Sequence, residues 1–197
     1  MLTIAIAFVG CTKDSLSPET VISTTITELD ASDYLINFTD TSLSGEFVRF
    51  SFADSTVVTG DNNNWDVAFR GTTIIVNGGE SSNVDQPDRT GNSAVYIADG
   101  TMQSVAEVDA TLLAKDNTTS PAIIDDFGFT GNGWCNYSGP PHHIVSPIAG
   151  IILVFRTHNN KYAKMEVLNF YDTPMTKPFG GFYTFNYVYQ SDGGITF

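Results

Sequence analysis

Residues 151–171 constrain the fold of this chain more than any other stretch. Ile151-Ile152-Leu153-Val154-Phe155-Arg156 and Lys161-Tyr162-Ala163-Lys164-Met165-Glu166-Val167-Leu168-Asn169-Phe170-Tyr171 are β-branched and aromatic runs joined through Thr157-His158-Asn159-Asn160. Such a pair closes as a long antiparallel hairpin. A hairpin returns the backbone to its starting end, so the segments before Ile151 and after Tyr171 must emerge on one side. Before it lies Gly139-Pro140-Pro141-His142-His143-Ile144-Val145-Ser146-Pro147, with adjacent imidazoles between prolines. After it lies Asp172-Thr173-Pro174-Met175-Thr176-Lys177-Pro178-Phe179-Gly180-Gly181, with one thioether in a similar Pro/Gly frame. A His and a Met facing each other across a gap is one of the recognised axial arrangements for haem iron.

The rest of the chain repeats the strand chemistry. Thr, Val, Ile, Phe and Tyr are plentiful, Gly, Asn and Asp punctuate short runs, and helical periodicity is scarce, which together predict an all-β fold. At 197 residues the chain fits one antiparallel β-rich domain with a proper core and projecting ligand-binding loops. Val21 to Leu29 and Tyr34 to Phe38 read as an antiparallel opening, and Phe47 to Phe52 as a half-buried strand. Trp65 to Gly79 reads as two strands hinged at Gly71. Ala94 to Ile97 and Ser104 to Val108 are further strands or edges, Trp134 to Tyr137 starts another, and alternating aromatics from Phe182 to Tyr189 close the sheet. Ala110 to Asp126 is the best helical candidate, although Asn117 to Pro121 interrupts it.

A formal charge of −13 argues against nucleic acid, because phosphate binding needs Lys/Arg clusters that this sequence lacks. Leu2 to Val9 is apolar but too short to span a bilayer. Phe8-Val9-Gly10-Cys11 ends it in the pattern of a bacterial lipobox. Residues 1–10 are therefore read as a lipoprotein signal, with its start truncated, since no Lys or Arg precedes the apolar run. Cys11 is then the lipidated residue, residues 11–18 a polar tether and residues 19–197 the β domain. With Cys11 acylated, Cys135 has no partner for an intramolecular disulfide.

Three blocks carry a resemblance: Asn64 to Gly79, Lys161 to Glu166, and Gly181 to Tyr189. With the lipobox in front and the same order along the chain, the sequence resembles the HmuY-like haem-binding lipoproteins of Bacteroidetes. The resemblance implies an all-β domain whose loops grip one haem b (iron protoporphyrin IX). It implies a non-catalytic carrier, a haemophore, lipid-anchored at the outer membrane or cell surface or shed from it. A TonB-dependent outer-membrane haem receptor would be its partner, and host or environmental haemoproteins its sources. The family takes its first axial ligand from the loop upstream of an Ile/Val-x-Pro element. Here that element is Val145-Ser146-Pro147, which makes His143 the best match, with His142 as the alternative. The second ligand comes from the loop after the hairpin, where only Met175 is chemically suitable; this departs from a bis-His pattern.

Each candidate also has a plainer role. Adjacent residues on extended backbone point to opposite sides, so at most one of His142 and His143 reaches a given iron, and both could be solvated loop histidines. Met175 could fill an apolar gap. Met165 and Met102 read as core or rim, His158 as a solvent-exposed turn residue, and Cys135 as a buried small hydrophobe. Trp134, Tyr137, Phe179, Phe182 and Tyr183 flank the loops and suit a flat apolar disc, though Phe182 and Tyr183 serve equally as core. Lys177 could pair with a propionate. No Gly-x-Ser-x-Gly, His-Glu-x-x-His, P-loop or tetrahedral Cys/His set appears. A surface β-sandwich that binds a glycan or protein without iron is the competing reading.

Overall fold

The final strand shows how the sequence specifies the core. In β13 (Phe182–Gln190) the odd-numbered Tyr183, Phe185, Tyr187 and Tyr189 are buried, and the residues between them are half-exposed up to Val188. This is the period-two pattern of a strand with one face inward. The computed structural model describes residues 21–37, 39, 43–123 and 133–197. In it, β13 lies between β1 (Val21–Asp30) and β12 (Tyr162–Asn169), and β11 (Ile151–Arg156) and β8 (Ala94–Asp99) complete a five-stranded antiparallel sheet. The predicted hairpin is the β11–β12 pair, with Leu153 opposite Met165 and Phe155 opposite Ala163.

A second antiparallel sheet has the order β5 (Thr56–Val58), β4 (Val48–Ser51), β6 (Val67–Arg70), β7 (Thr73–Val76). The hinge at Gly71 is real: its φ of +52° belongs to the left-handed region, which a residue without a Cβ enters freely. Two small pairs extend from the body. These are β2 (Tyr34–Ile36) with β3 (Leu43–Gly45), and β9 (Cys135–Tyr137) with β10 (Val145–Pro147). The described residues contain no helix, and the fold is all-β.

The two larger sheets meet through aromatic rings. Phe50 lies 5.5 Å from Phe185, Phe69 4.6 Å from Tyr183, and Phe52 5.1 Å from Phe155 and 5.2 Å from Tyr187, measured between centroids. Each such pair adds roughly 0.5–1.5 kcal/mol beyond the burial of its rings. The outer face of the five-stranded sheet is covered as well. Ile152 and Val154 pack there under Val105, Val108 and Phe197. The Lys164 ammonium donates to the carbonyls of Met102 and Val105 under this cover, 4.7 Å from the Phe197 ring, and burial lowers its pKa.

Four expectations need correcting. β1 pairs with β13 rather than with Tyr34 to Phe38, because the long aromatic strand offers eight partnered positions. Tyr34–Ile36 pairs instead with β3. The candidate helix is absent from residues 110–123, and residues 124–126 lie outside the described residues. Tertiary pairing takes its backbone groups: Ala114 and Val95 exchange both N–H···O bonds, and the buried Asp116 carboxylate accepts the Val76 and Ala122 amides and Arg89. Ser104 to Val108 forms no strand and only Glu107 makes a bridge, to Thr196.

His158 is the fourth correction. Its ring is 18% exposed, and Nδ1 and the backbone N–H both donate to Oδ1 of the buried Asp66, each at 2.8 Å. The other oxygen of Asp66 accepts the Phe52 amide. One carboxylate thus joins the β11–β12 turn to the four-stranded sheet. Its bond to the ring, followed by the Coulombic pull of Asp66 and Asp54, raises the His158 pKa above 6.5 against desolvation. A group with a raised native pKa contributes stability that is complete below the unfolded value and fades as pH rises through the native value. His158→Ala should therefore cost about 1–2 kcal/mol near pH 6. The difference from wild type should shrink above pH 6.5, as measured by urea denaturation across pH. A pH-independent difference would show that the imidazole charge is not involved.

Candidate functional site

The histidine loop is closed tightly at its base. Tyr137 lies opposite Val145 in the β9–β10 register, and Ser138 and Ile144 exchange bonds: the Ser138 amide donates to the Ile144 carbonyl, and the Ile144 amide to the Ser138 hydroxyl. Within this frame the His143 amide donates to the Gly139 carbonyl at 2.9 Å, and His143 takes a φ of +53°. The backbone here is turned, so the opposite-sides rule for extended neighbours does not apply to the His142–His143 pair. His143 Nδ1 is hydrogen-bonded to the Tyr137 hydroxyl, and the two rings lie 5.8 Å apart. His142 is exposed, and no group among the described residues bonds its ring. Beneath the loop Trp134 is 2% exposed, donates its indole N–H to the Thr72 carbonyl and packs on Phe170 and Tyr183. Trp134 and Cys135 form the floor and do not line an open surface.

The methionine loop is organised by Asp172. Its carboxylate accepts both the hydroxyl and the amide of Thr176, and these bonds hold its pKa below the ordinary range. Met175 sits inside this turn, 53% exposed. Lys177 follows, with Nζ 2.6 Å from the Ser32 hydroxyl and 5.7 Å above the Phe182 ring. The loop re-enters the sheet through Gly181, whose φ is +104° and where a Cβ would stand 2.7 Å from Ser32 Cα, so only glycine fits.

The two loops leave the fold at neighbouring points. The Val145 amide, two residues after His143, donates to the hydroxyl of buried Tyr171, the residue that precedes the Asp172 turn. Beside the methionine loop lies a cleft of about 480 Å³, lined by Ser32 to Ile36 and by Lys177 to Gly180. Leu35 and Phe179 are 74% and 47% exposed there. The Tyr34 hydroxyl donates to the Phe179 carbonyl, and burial, with Tyr171 nearby, pushes its pKa up to about 12. Of the sequence candidates, Lys177 and Phe179 line this cleft, whereas His142, His143, Tyr137, Trp134 and Met175 do not. Sequence reasoning missed Tyr34, Leu35 and Tyr171, although the apolar Tyr34-Leu35-Ile36 run was a readable signal. Cys11 and its lipobox lie outside the described residues. Among the described residues no group of three His, Cys, Asp or Glu side chains could hold a metal ion.

The separate groups suit a porphyrin by their chemistry: an imidazole with one nitrogen already engaged, a solvent-facing thioether and, apart from both, an apolar cleft with one cation at its edge. Three solved structures are similar to this chain. One, described as a lipoprotein of Bacteroides fragilis, has 14% identity and a TM-score of 0.47 over 88% of this chain and 91% of its own. Another, described as an HmuY-like haem-binding protein of Bacteroides vulgatus, has 16% identity and a TM-score of 0.43 over 87% and 92%. The third, an apo HmuY analogue from Tannerella forsythia, has 12% identity and a TM-score of 0.37 over 86% and 96%. No functionally curated protein matches. The sequence model of the HmuY protein family matches residues 42–187, and the chain belongs to that family.

Proposed function

We propose that this protein is a lipid-anchored haem carrier that captures one haem b at the cell surface and hands it to an outer-membrane receptor. Family membership supports the ligand class. The observation that carries the site is the Tyr171–Val145 hydrogen bond, which anchors the His143 and Met175 loops side by side. His143 and Met175 are the proposed axial ligands, with His142 as the alternative to His143. Haem supplies iron and a large apolar disc. Phe179 and Leu35 offer apolar surface for the macrocycle, Tyr137 supports the imidazole, and Lys177 stands where it could meet a propionate. Trp134 holds the floor. Affinity then comes from axial bonds and apolar burial, and release from movement of exposed loops.

The competing reading, a surface β-sandwich that holds a glycan or protein, is favoured only by the exposure of Leu35 and Phe179. A haemin titration followed by visible spectroscopy separates the two. A sharpened and shifted Soret band supports the carrier, and a spectrum of free haemin removes it. His143→Ala should lower ferric haem affinity about 10–100-fold, the scale for perturbing a metal site, and His142→Ala should have a smaller effect. His158→Ala, in the opposite turn of the hairpin, should leave the spectrum unchanged. Damage from His142→Ala instead would move the ligand one residue along.

Met175 makes the site redox-sensitive, because a thioether is soft and favours ferrous over ferric iron. Ferrous haem should bind more tightly than ferric, and the ferric spectrum should carry a high-spin component that disappears on dithionite reduction. Met175→His should tighten ferric binding and lower the reduction potential. Identical ferric and ferrous behaviour, unmoved by the substitution, would leave Met175 as a surface residue.

Anchoring rests on Cys11. Stable attachment needs more than one acyl chain, so Cys11→Ala should shift the protein from the membrane fraction to the soluble fraction. Unchanged fractionation would exclude Cys11 as the attachment point.

A further inference from the structure

We propose that Tyr137 is the positioning residue that selects His143 over His142 as the iron ligand, by holding the imidazole in the tautomer whose Nε2 carries the lone pair. The inference rests on the haem-carrier reading and deepens it. A neutral imidazole has one N–H and one bare nitrogen, and the bond made by one nitrogen decides the role of the other. His143 Nδ1 meets the Tyr137 hydroxyl, so Nε2 is the nitrogen left to face a ligand. If Nδ1 carries the proton and donates to the phenolic oxygen, Nε2 is a ready donor to iron. The reverse assignment puts the proton on Nε2 and blocks it.

The surroundings make this contact a built one. Tyr137 is fixed on β9 opposite Val145, and Val145 is itself held by Tyr171. His143 is fixed by its own amide on Gly139 and by the reciprocal Ser138–Ile144 bonds that close the loop. The backbone carrying both rings therefore has a set position before any ligand arrives, and the ring contact adds to it, which lowers the entropy lost on binding. His142, one residue away on the same loop, has no such partner among the described residues. Partners of this kind fix ring orientation and raise ligand basicity, and their loss usually costs about 10–100-fold in metal affinity.

Histidine tautomers can be read from ¹⁵N chemical shifts in the protein without haem. Wild-type His143 should be in the Nδ1–H form, and Tyr137→Phe, which keeps the ring but deletes the oxygen, should shift it toward Nε2–H. With haemin, Tyr137→Phe should weaken ferric binding about tenfold. If ferrous binding is unaltered, the one-electron midpoint potential rises by about 59 mV. His142→Ala should move neither the tautomer nor the potential. A wild-type His143 in the Nε2–H form overturns the proposal, without any variant having to fold. So does a Tyr137→Phe protein with unchanged tautomer and potential. A wild type with the Nδ1–H tautomer but no Soret shift overturns the haem reading, and with it the ligand role of the pair.

Discussion

The fold depends on one seam of aromatic rings between two twisted sheets. Phe50, Phe52 and Phe69 from the smaller sheet interleave with Phe155, Tyr183, Phe185 and Tyr187 from the larger. Fully burying each ring is worth roughly 1.5–3 kcal/mol, far more than the 0–1 kcal/mol of an exposed ion pair. The seam also fixes register, since a one-residue slip of β13 would turn all four of its buried tyrosine and phenylalanine rings to the outside. Polar anchors then refine what the rings impose. Tyr187 donates to the Phe52 carbonyl, Tyr183 to the Gly71 carbonyl, and Asp66 joins the hairpin turn to Phe52, the residue after β4.

A rigid body of this kind lets the loops be different. The residues proposed to meet haem sit at the ends of strands whose positions the seam determines, yet their own side chains contribute little to stability. Met175, Phe179 and Leu35 keep about half or more of their surface in water, so the apolar transfer energy they hold in reserve becomes available when something covers them. Asp172 and Ser138 supply the local order that apolar packing cannot supply at the surface. The division suits the proposed carrier role, in which the frame must persist while the gripping surface changes partners.

Legibility of this chain followed the range of the interaction concerned. The β11–β12 hairpin, the hinge at Gly71 and the inward face of β13 were readable because period-two alternation and turn chemistry are local signals. The pairing of β1 with β13 spans more than 150 residues, and nothing in Val21 to Leu29 announces its partner. Ala110 to Asp126 carried a weak helical pattern, which within residues 110–123 lost to Val95, Gly79 and Arg89, all distant in sequence. His158 looked solvated because Asp66 lies 92 residues away. The candidate site behaved the same way. Placement of the two loops followed from hairpin geometry, while the floor role of Trp134 and the cleft around Tyr34 required the tertiary structure. The Tyr137–His143 contact was within reach, since the two residues flank a short closed loop, but reading Tyr137 only as an aromatic surface concealed its hydroxyl.

The burial of Lys164, Arg70 and Arg89 has a consequence for how ligands arrive. These cations are used inside the protein, on carbonyls or carboxylates, and leave few positive charges outside on a chain with a formal charge of −13. Lys177 is the one Lys or Arg in residues 138–181 that belongs to either ligand loop. An anionic molecule therefore approaches through a repulsive field except near that loop, and the field fades over about 8 Å at physiological ionic strength. Encounter with such a molecule should be slow in dilute buffer and faster as salt is added, the reverse of electrostatically steered capture. The protein's charge acts as a filter on traffic to the loops, admitting ligands whose apolar face, rather than their charge, makes the first contact.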